Sequence, residues 1–232
     1  MRLNKYLSNA GIGSRRKSDY LIQMATTTVN GQLCLNPAYD VKDTDVVRFD
    51  DQIVIHEIKQ IVVLLYKPKG YITTLKDTHG RKTVLDLIPN FSRIVPIGRL
   101  DKNTTGILLL SNDGYLHEYL THPRNQIPKD YEAIIEGRIA PNHIDKLKYG
   151  IYIGSREYGK AEILKQYTLK QRTKVTLRLR QGKKREIRRI MNRLKRKLIS
   201  LKRIRFAGLG LGNLQPGQYR ILDSSEVDNL KK

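Results

Sequence analysis

Between Gly98 and Gly114 the chain reads GRLDKNTTGILLLSNDG. A polar loop with small residues (Thr104, Thr105, Gly106) runs into the apolar stretch Ile107 to Leu110, which ends in Asn112-Asp113-Gly114. The apolar stretch has the length of a buried strand, and Asn-Asp-Gly is a strong turn signal. Any fold must therefore bury this strand and hold one carboxylate, Asp101, in the loop that feeds it. By spacing alone, Asp101 beside Arg99 fits a structural ion pair as well as a functional acid.

The surroundings of that acid are basic. The 232 residues carry a net charge of +22. Residues 1–58 hold seven Lys/Arg and seven Asp/Glu, so the excess lies in the rest of the chain. Residues 165–205 hold 18 basic residues and one acid, Glu186. A concentration of this kind points to a polyanion, most often nucleic acid. The longest apolar run, Ile61 to Tyr66, is far short of a membrane span, and MRLNKYLSNAG lacks the apolar core of a signal peptide. No membrane association is expected. The single cysteine, Cys34, allows no internal disulfide and fits a cytoplasmic protein.

The pattern divides the chain at about residue 60. In residues 1–58, Leu3, Tyr6 and Leu7 have helical spacing, and Ser14 is placed to cap a second helix through Met24. Thr26 to Val29 and Gln32 to Leu35 flank an Asn30-Gly31 hairpin turn, and Val46 to Phe49 forms a further strand. Asp51 to Gln60 reads as a linker. In residues 61–232, strands are expected at 61–66, 71–74, 94–97, 129–138, 161–169, 173–180, 199–206 and 218–222. Helices are expected at 83–88, 115–121, 141–149 and 185–197. On the 173–180 strand Val175, Leu177 and Leu179 alternate with Lys174, Thr176, Arg178 and Arg180, giving one buried and one basic face. The class is α+β, with a mixed, largely antiparallel sheet.

Several chemistries find no support. The five histidines (56, 79, 117, 122 and 143) lack metal-ligand spacing, so no metal is expected. Gly208 to Gly212 has neither the spacing nor the following helix of a dinucleotide loop and reads as a turn between strands. No G-x-S-x-G elbow is present.

Arg2 to Leu7, Gly11 to Arg16 and Val29-Asn30-Gly31 together resemble the S-four-type (α-L) RNA-binding domain. The resemblance implies that Arg15 and Arg16, at a helix N-terminus, face RNA phosphate. It departs from the family pattern at Ala25 and Thr26, where Gly-Arg is usual. Further on come Tyr66 to Gly70 with Thr73-Thr74, Gly98 to Gly114, Lys129-Asp130-Tyr131, Gln181 to Met191, and the tail segments Leu201 to Arg205 and Leu214 to Arg220. In this order they resemble the RsuA/RluB-type family of rRNA pseudouridine synthases. The domains implied are 1–58 for RNA binding and 61–232 for catalysis.

That resemblance implies isomerisation of a flipped uridine in ribosomal RNA, more in keeping with the large subunit, without metal or cofactor. Asp101 is then the catalytic carboxylate, acting on ribose or base, and a nucleophile of that kind must be ionised. Arg188 pairs with it and Tyr131 packs on the target base. Arg99 contacts phosphate or helps fill the gap the base leaves. Lys67, Lys183, Lys184, Arg185 and Arg189 complete the expected RNA contacts. The expected state is a monomer. One departure concerns the third motif, where Gln181 stands for the family's glutamate and Glu186 for its glutamine. Glu186 is thereby a competitor for Arg188, or a partner of Lys183 or Arg189. Two alternatives remain at this point: a non-catalytic rRNA-binding or ribosome-assembly protein on the same fold, and a tRNA-directed synthase.

Overall fold

The computed structural model describes residues 1–55, 60–89, 91 and 93–231. Two compact units result, Met1–Gln60 and Ile61–Lys232. The first contains helices α1 (Leu3–Ala10) and α2 (Arg15–Gln23) and strands β1 (Thr27–Val29), β2 (Gln32–Leu33), β3 (Val47–Phe49) and β4 (Gln52–Ile53). The strands form one sheet in the order β2-β1-β3-β4. Gly11 ends α1 at φ 111°, and the Ser14 hydroxyl caps α2 by accepting from the Lys17 N–H at 3.2 Å. Leu3, Leu7, Ile22, Val29 and Val47 close a small core between the helices and the sheet.

The second unit runs β5 (Val62–Lys67), β6 (Val95–Ile97), β7 (Thr105–Ser111), α3 (Gly114–Thr121), β8 (Lys129–Glu136), α4 (Pro141–Tyr149), β9 (Ile151–Gly154), β10 (Glu157–Gly159), β11 (Glu162–Leu169), β12 (Arg172–Leu179), α5 (Glu186–Arg193), β13 (Leu198–Phe206), β14 (Leu209–Gly210), β15 (Tyr219–Ile221) and α6 (Ser224–Asn229). Its main sheet has the order β11-β12-β8-β13-β7-β5-β15, with β14 on β13 and β6 on β7. The β13–β7 pair is parallel and the other neighbouring pairs are antiparallel, so the sheet is mixed.

Alternation along the strands builds the core. Val62, Leu64, Ile107 and Leu109 face α3 and α6, while Val63, Leu65, Leu108 and Leu110 face the opposite layer. Burying each such side chain stabilises the fold by roughly 1.5–3 kcal/mol relative to exposure. Ala133, Ile135, Val175, Leu177 and Leu201 meet Ile187, Ile190 and Met191 of α5. The parallel pair needs Gly106. A Cβ there would lie 2.1 Å from the Arg203 carbonyl oxygen, at a φ of +106° that side chains disfavour.

Several sequence expectations need correction. The linker begins later than Asp51, because β4 pairs with β3; residues 56–59 lie outside the described residues. The strand expected at 71–74 is reduced to one bridge, Ile72 to Thr83. The helix expected over 185–197 covers only α5, because Arg185 (φ 52°) and Lys195 (φ 54°) adopt left-handed backbone at its ends. The hairpin β9–β10 and helix α6 were not expected. The basic face of β12 is partly neutralised: Arg178 grips Asp130 through bonds of 2.7 and 2.8 Å, and Lys174 pairs with Glu132.

Candidate active site

The loop carrying Asp101 is fixed by backbone contacts that begin at the end of β5. Lys67 is fully buried, and its ammonium donates to the carbonyls of Pro68 (3.1 Å), Asp101 (3.1 Å), Lys102 (3.4 Å) and Thr104 (2.9 Å). Burial lowers its pKa to about 8, against the opposing pull of the Asp101 charge. The Thr73 hydroxyl donates to the Leu100 carbonyl at 3.0 Å, and the Gly70 N–H donates to the Lys102 carbonyl at 2.9 Å. Lys67 is thus a loop-organising residue. Its expected role as an RNA contact is corrected, since no part of its side chain reaches the surface.

Asp101 stands at the mouth of this loop with its side chain 41% exposed. From α5, the Arg188 Nε donates to Asp101 Oδ2 at 3.2 Å, and Arg188 Nη2 donates to the Thr104 hydroxyl at 3.3 Å. Both ends of the guanidinium are held, so the carboxylate and its cation have a set geometry. Thr104 was not singled out from the sequence; its only signal there was a small polar residue in the loop.

Asp101 and Tyr131 open onto a cleft of about 510 Å³. Its lining holds one carboxylate, Asp101, and seven Lys/Arg side chains, among them Arg99, Arg180, Lys184 and Arg185. Leu100, Ile97, Pro123 and Phe206 supply apolar wall. A smaller adjoining recess of about 90 Å³ joins Asp101 and Tyr131 to Arg188. Tyr131 lies on β8 opposite Leu177 and Arg203, and it packs against the buried clusters on both sides. A ring so braced presents a stacking surface at low entropic cost.

The structure thus brings Asp101, Tyr131, Arg188, Arg99, Lys183, Lys184 and Arg185 around one cleft and its recess. Arg189 is not among them. Its guanidinium donates to the carbonyls of Ile153 (3.0 Å) and Gly154 (2.6 Å) and pairs with Glu157, which anchors the β9–β10 hairpin to α5. Arg15 and Arg16 are exposed at the start of α2, in the first unit.

Glu186 does not compete for Arg188. It is 4% exposed and accepts from the N–H groups of Lys183 (3.1 Å) and Lys160 (3.3 Å) and from the Gln181 side chain (2.5 Å). Burial raises its pKa, and those hydrogen bonds oppose the rise. The two departures from the family pattern therefore touch. In this chain the Gln181 amide donates to the Glu186 carboxylate across them.

Cations on the floor of the cleft were also missed. Lys129 and Arg203 both line it. Arg203 has a sequence signal, a charge on the same side of β13 as Leu201. Among the described residues no group of three or more His, Cys, Asp or Glu is placed to hold a metal, and no helix is long and apolar enough to cross a membrane.

The profile of the RNA pseudouridylate synthase family matches residues 61–193. The chain belongs to this family. It is 36% identical to the ribosomal large subunit pseudouridine synthase B of Bacillus subtilis (strain 168), over 99% of this chain and 95% of that protein. An uncharacterized RNA pseudouridine synthase of Aquifex aeolicus (strain VF5) is 35% identical over 100% of this chain and 94% of its own length. The crystal structure of a pseudouridylate synthase superposes with a TM-score of 0.70 at 23% identity, covering 99% of each chain, which shows the shared fold. The family match at residues 61–193 lies within the second unit, which also holds the cleft.

Proposed function

We propose that this chain converts a uridine of large-subunit ribosomal RNA to pseudouridine, with Asp101 as the carboxylate that acts on a flipped nucleotide. The observation that carries the reading is the cleft lining, in which Asp101 is one acid among seven Lys/Arg and is bridged by Arg188 at 3.2 Å. A lone carboxylate in a cationic cleft suits an anionic substrate whose sugar or base needs a nucleophile. The Bacillus relative and one from Haemophilus influenzae, each a ribosomal large subunit pseudouridine synthase B, support the choice of RNA.

In this reading Tyr131 stacks on the extruded uracil, a contact worth roughly 1–3 kcal/mol. That offsets part of the few kcal/mol needed to unstack a base. Arg188 holds the Asp101 carboxylate in its attacking position. Arg99, Lys183, Lys184 and Arg185 take phosphates at the rim. The first unit, residues 1–58, serves as an S-four-type RNA-binding domain, with Arg15 and Arg16 adding phosphate contacts at the N-terminus of α2. Residues 61–232 form the catalytic domain. The protein works as a cytoplasmic monomer.

The test is to map pseudouridine in ribosomal RNA incubated with the wild-type protein and with Asp101→Asn. New pseudouridine at one site of large-subunit RNA is expected with the wild type. The variant should lose at least about 10³-fold in rate, as for loss of a nucleophile, while still binding the RNA. Binding without modification by either protein would favour a non-catalytic rRNA-binding role. Modification confined to tRNA would overturn the substrate, and an active variant would overturn Asp101.

A further inference from the structure

The floor of the cleft carries two cations that the reading above leaves without a task. Lys129 opens β8 two residues before Tyr131, so the two side chains share one face of the sheet. Its Nζ donates to the Ile127 carbonyl at 2.9 Å, one bond from a group with three N–H donors. Arg203 sits opposite Tyr131 on β13 and is 2% exposed. Its Nε donates to the Ile107 carbonyl at 2.7 Å, and its buried Nη2 has no hydrogen-bond partner. Both cations lie over one ring, with Lys129 Nζ 5.6 Å and the Arg203 guanidinium 4.6 Å from the Phe206 centroid.

Two like charges half or fully buried together are costly without an anion. Burial, and next the Arg203 charge, lowers the Lys129 pKa to about 8. The acid whose field reaches Lys129 is Glu186, and its oxygens are already taken by Lys160, Gln181 and Lys183. The missing negative charge fits a ligand at this floor.

We propose that Lys129, backed by Arg203, is a base-recognition and charge-stabilising site, its ammonium donating to a carbonyl oxygen of the flipped uracil. This rests on the pseudouridine synthase reading. When the N1–C1′ bond breaks, its electron pair stays on the base, and the charge is shared among N1, O2 and O4. Asp101 then bonds C1′. If Asp101 instead adds to C6, the C5–C6 π pair moves through C5 onto O4. Either route gathers negative charge on a ring oxygen, where a preplaced ammonium stabilises it more than in the ground state. The reaction closes when C5 bonds C1′, the carboxylate is released, C5 loses its proton to water and N1 gains one. Lys129 touches the base and is catalytic in this sense. Arg203, 2% exposed, positions Lys129 and sets the field. A backbone phosphate is the less suited ligand, because it stays at the solvated rim with Lys184 and Arg185 while this pair lies beneath Tyr131.

The experiment uses the full chain and RNA containing the mapped target uridine, in single turnover. Lys129→Met should slow the reaction roughly 100-fold, as for loss of one oxyanion donor, with RNA affinity unchanged. Substrates with sulfur in place of O2 or of O4 of that uridine form the second arm, and this arm needs no altered protein. One of the two should slow the wild type and bring no further loss in Lys129→Met, since coupled groups are non-additive. Lys129→Arg, which retains a donor, should keep that sensitivity to sulfur. Fully additive losses would overturn the contact with the base. A parallel fall in rate and affinity, with the salt slope reduced by about one, would make Lys129 a phosphate ligand. If the wild type makes no pseudouridine at all, the underlying reading fails instead, and the two failures are distinguishable.

Discussion

Strands β8, β12 and β13 carry cations on both faces and treat them differently. On the outer face Arg178 meets Asp130, Lys174 meets Glu132, and Lys197 meets Glu136 at 2.8 Å. On the cleft face the hydrogen bonds of Lys129 and Arg203 go to carbonyls, at 2.9 and 2.7 Å, and Arg203 Nη2 makes none among the described residues. Strand alternation explains the split, because Asp130 and Glu132 point one way and Lys129 and Tyr131 the other. Cations matched by acids from the neighbouring strand hold the sheet together. Cations left unmatched beside a lone carboxylate are arranged for something outside the chain. The sum of basic residues in 165–205 therefore overstates the surface free to take RNA.

That contrast can be broken in three further ways. Arg188→Ala, on the cleft side, should lower single-turnover rate by roughly 100-fold, the scale of a lost electrostatic contact, and RNA affinity far less. Equal losses in rate and affinity would reduce Arg188 to a phosphate contact. Arg178→Ala, on the outer face, should leave rate unaltered. It strands the Asp130 carboxylate, which is 5% exposed, and should cost about 1–3 kcal/mol in denaturant unfolding after allowance for the partly exposed arginine. A fall in turnover without a fall in stability would put Arg178 in the site.

The smallest effect concerns pH. Lys67 and Lys129 have folded-state pKa values lowered to about 8 by burial. Their ammonium forms therefore burden the folded state below about pH 8. That burden lifts as pH rises towards the unfolded value of about 10.4. Stability should gain from these groups across that window, while turnover falls as Lys129 loses its proton. Lys129→Met should remove its share of the stability gain, as followed by urea midpoints between pH 8 and 10. An unchanged slope would mean that Lys129 does not titrate there.

Much of this arrangement was legible in the sequence because it is local. The Asp101 loop, the β7 apolar run, the Asn112-Asp113-Gly114 turn and the alternation of β12 all follow from near neighbours. Asp101 and Arg188 could be paired only through a resemblance, since 87 residues separate them. Lys67 was misread because a lysine ending a strand looks solvent-facing, and nothing local announces four converging carbonyls. Arg189 was misread for a related reason: it lies in a basic run whose members point in different directions around one helix. The acids that neutralise Lys174 and Arg178 sit on β8, more than forty residues earlier, and cross-strand register decides that match.

The Gln181–Glu186 contact ties two side chains of one loop together. The two positions touch at 2.5 Å. Glutamate at 181 against Glu186 would set two carboxyl groups together, and one of them would have to hold a proton. Glutamine at 186 against Gln181 would leave two amides, which can still hydrogen-bond. The two side chains therefore act as one unit in a loop that borders the cleft, and a change at either is felt at the other.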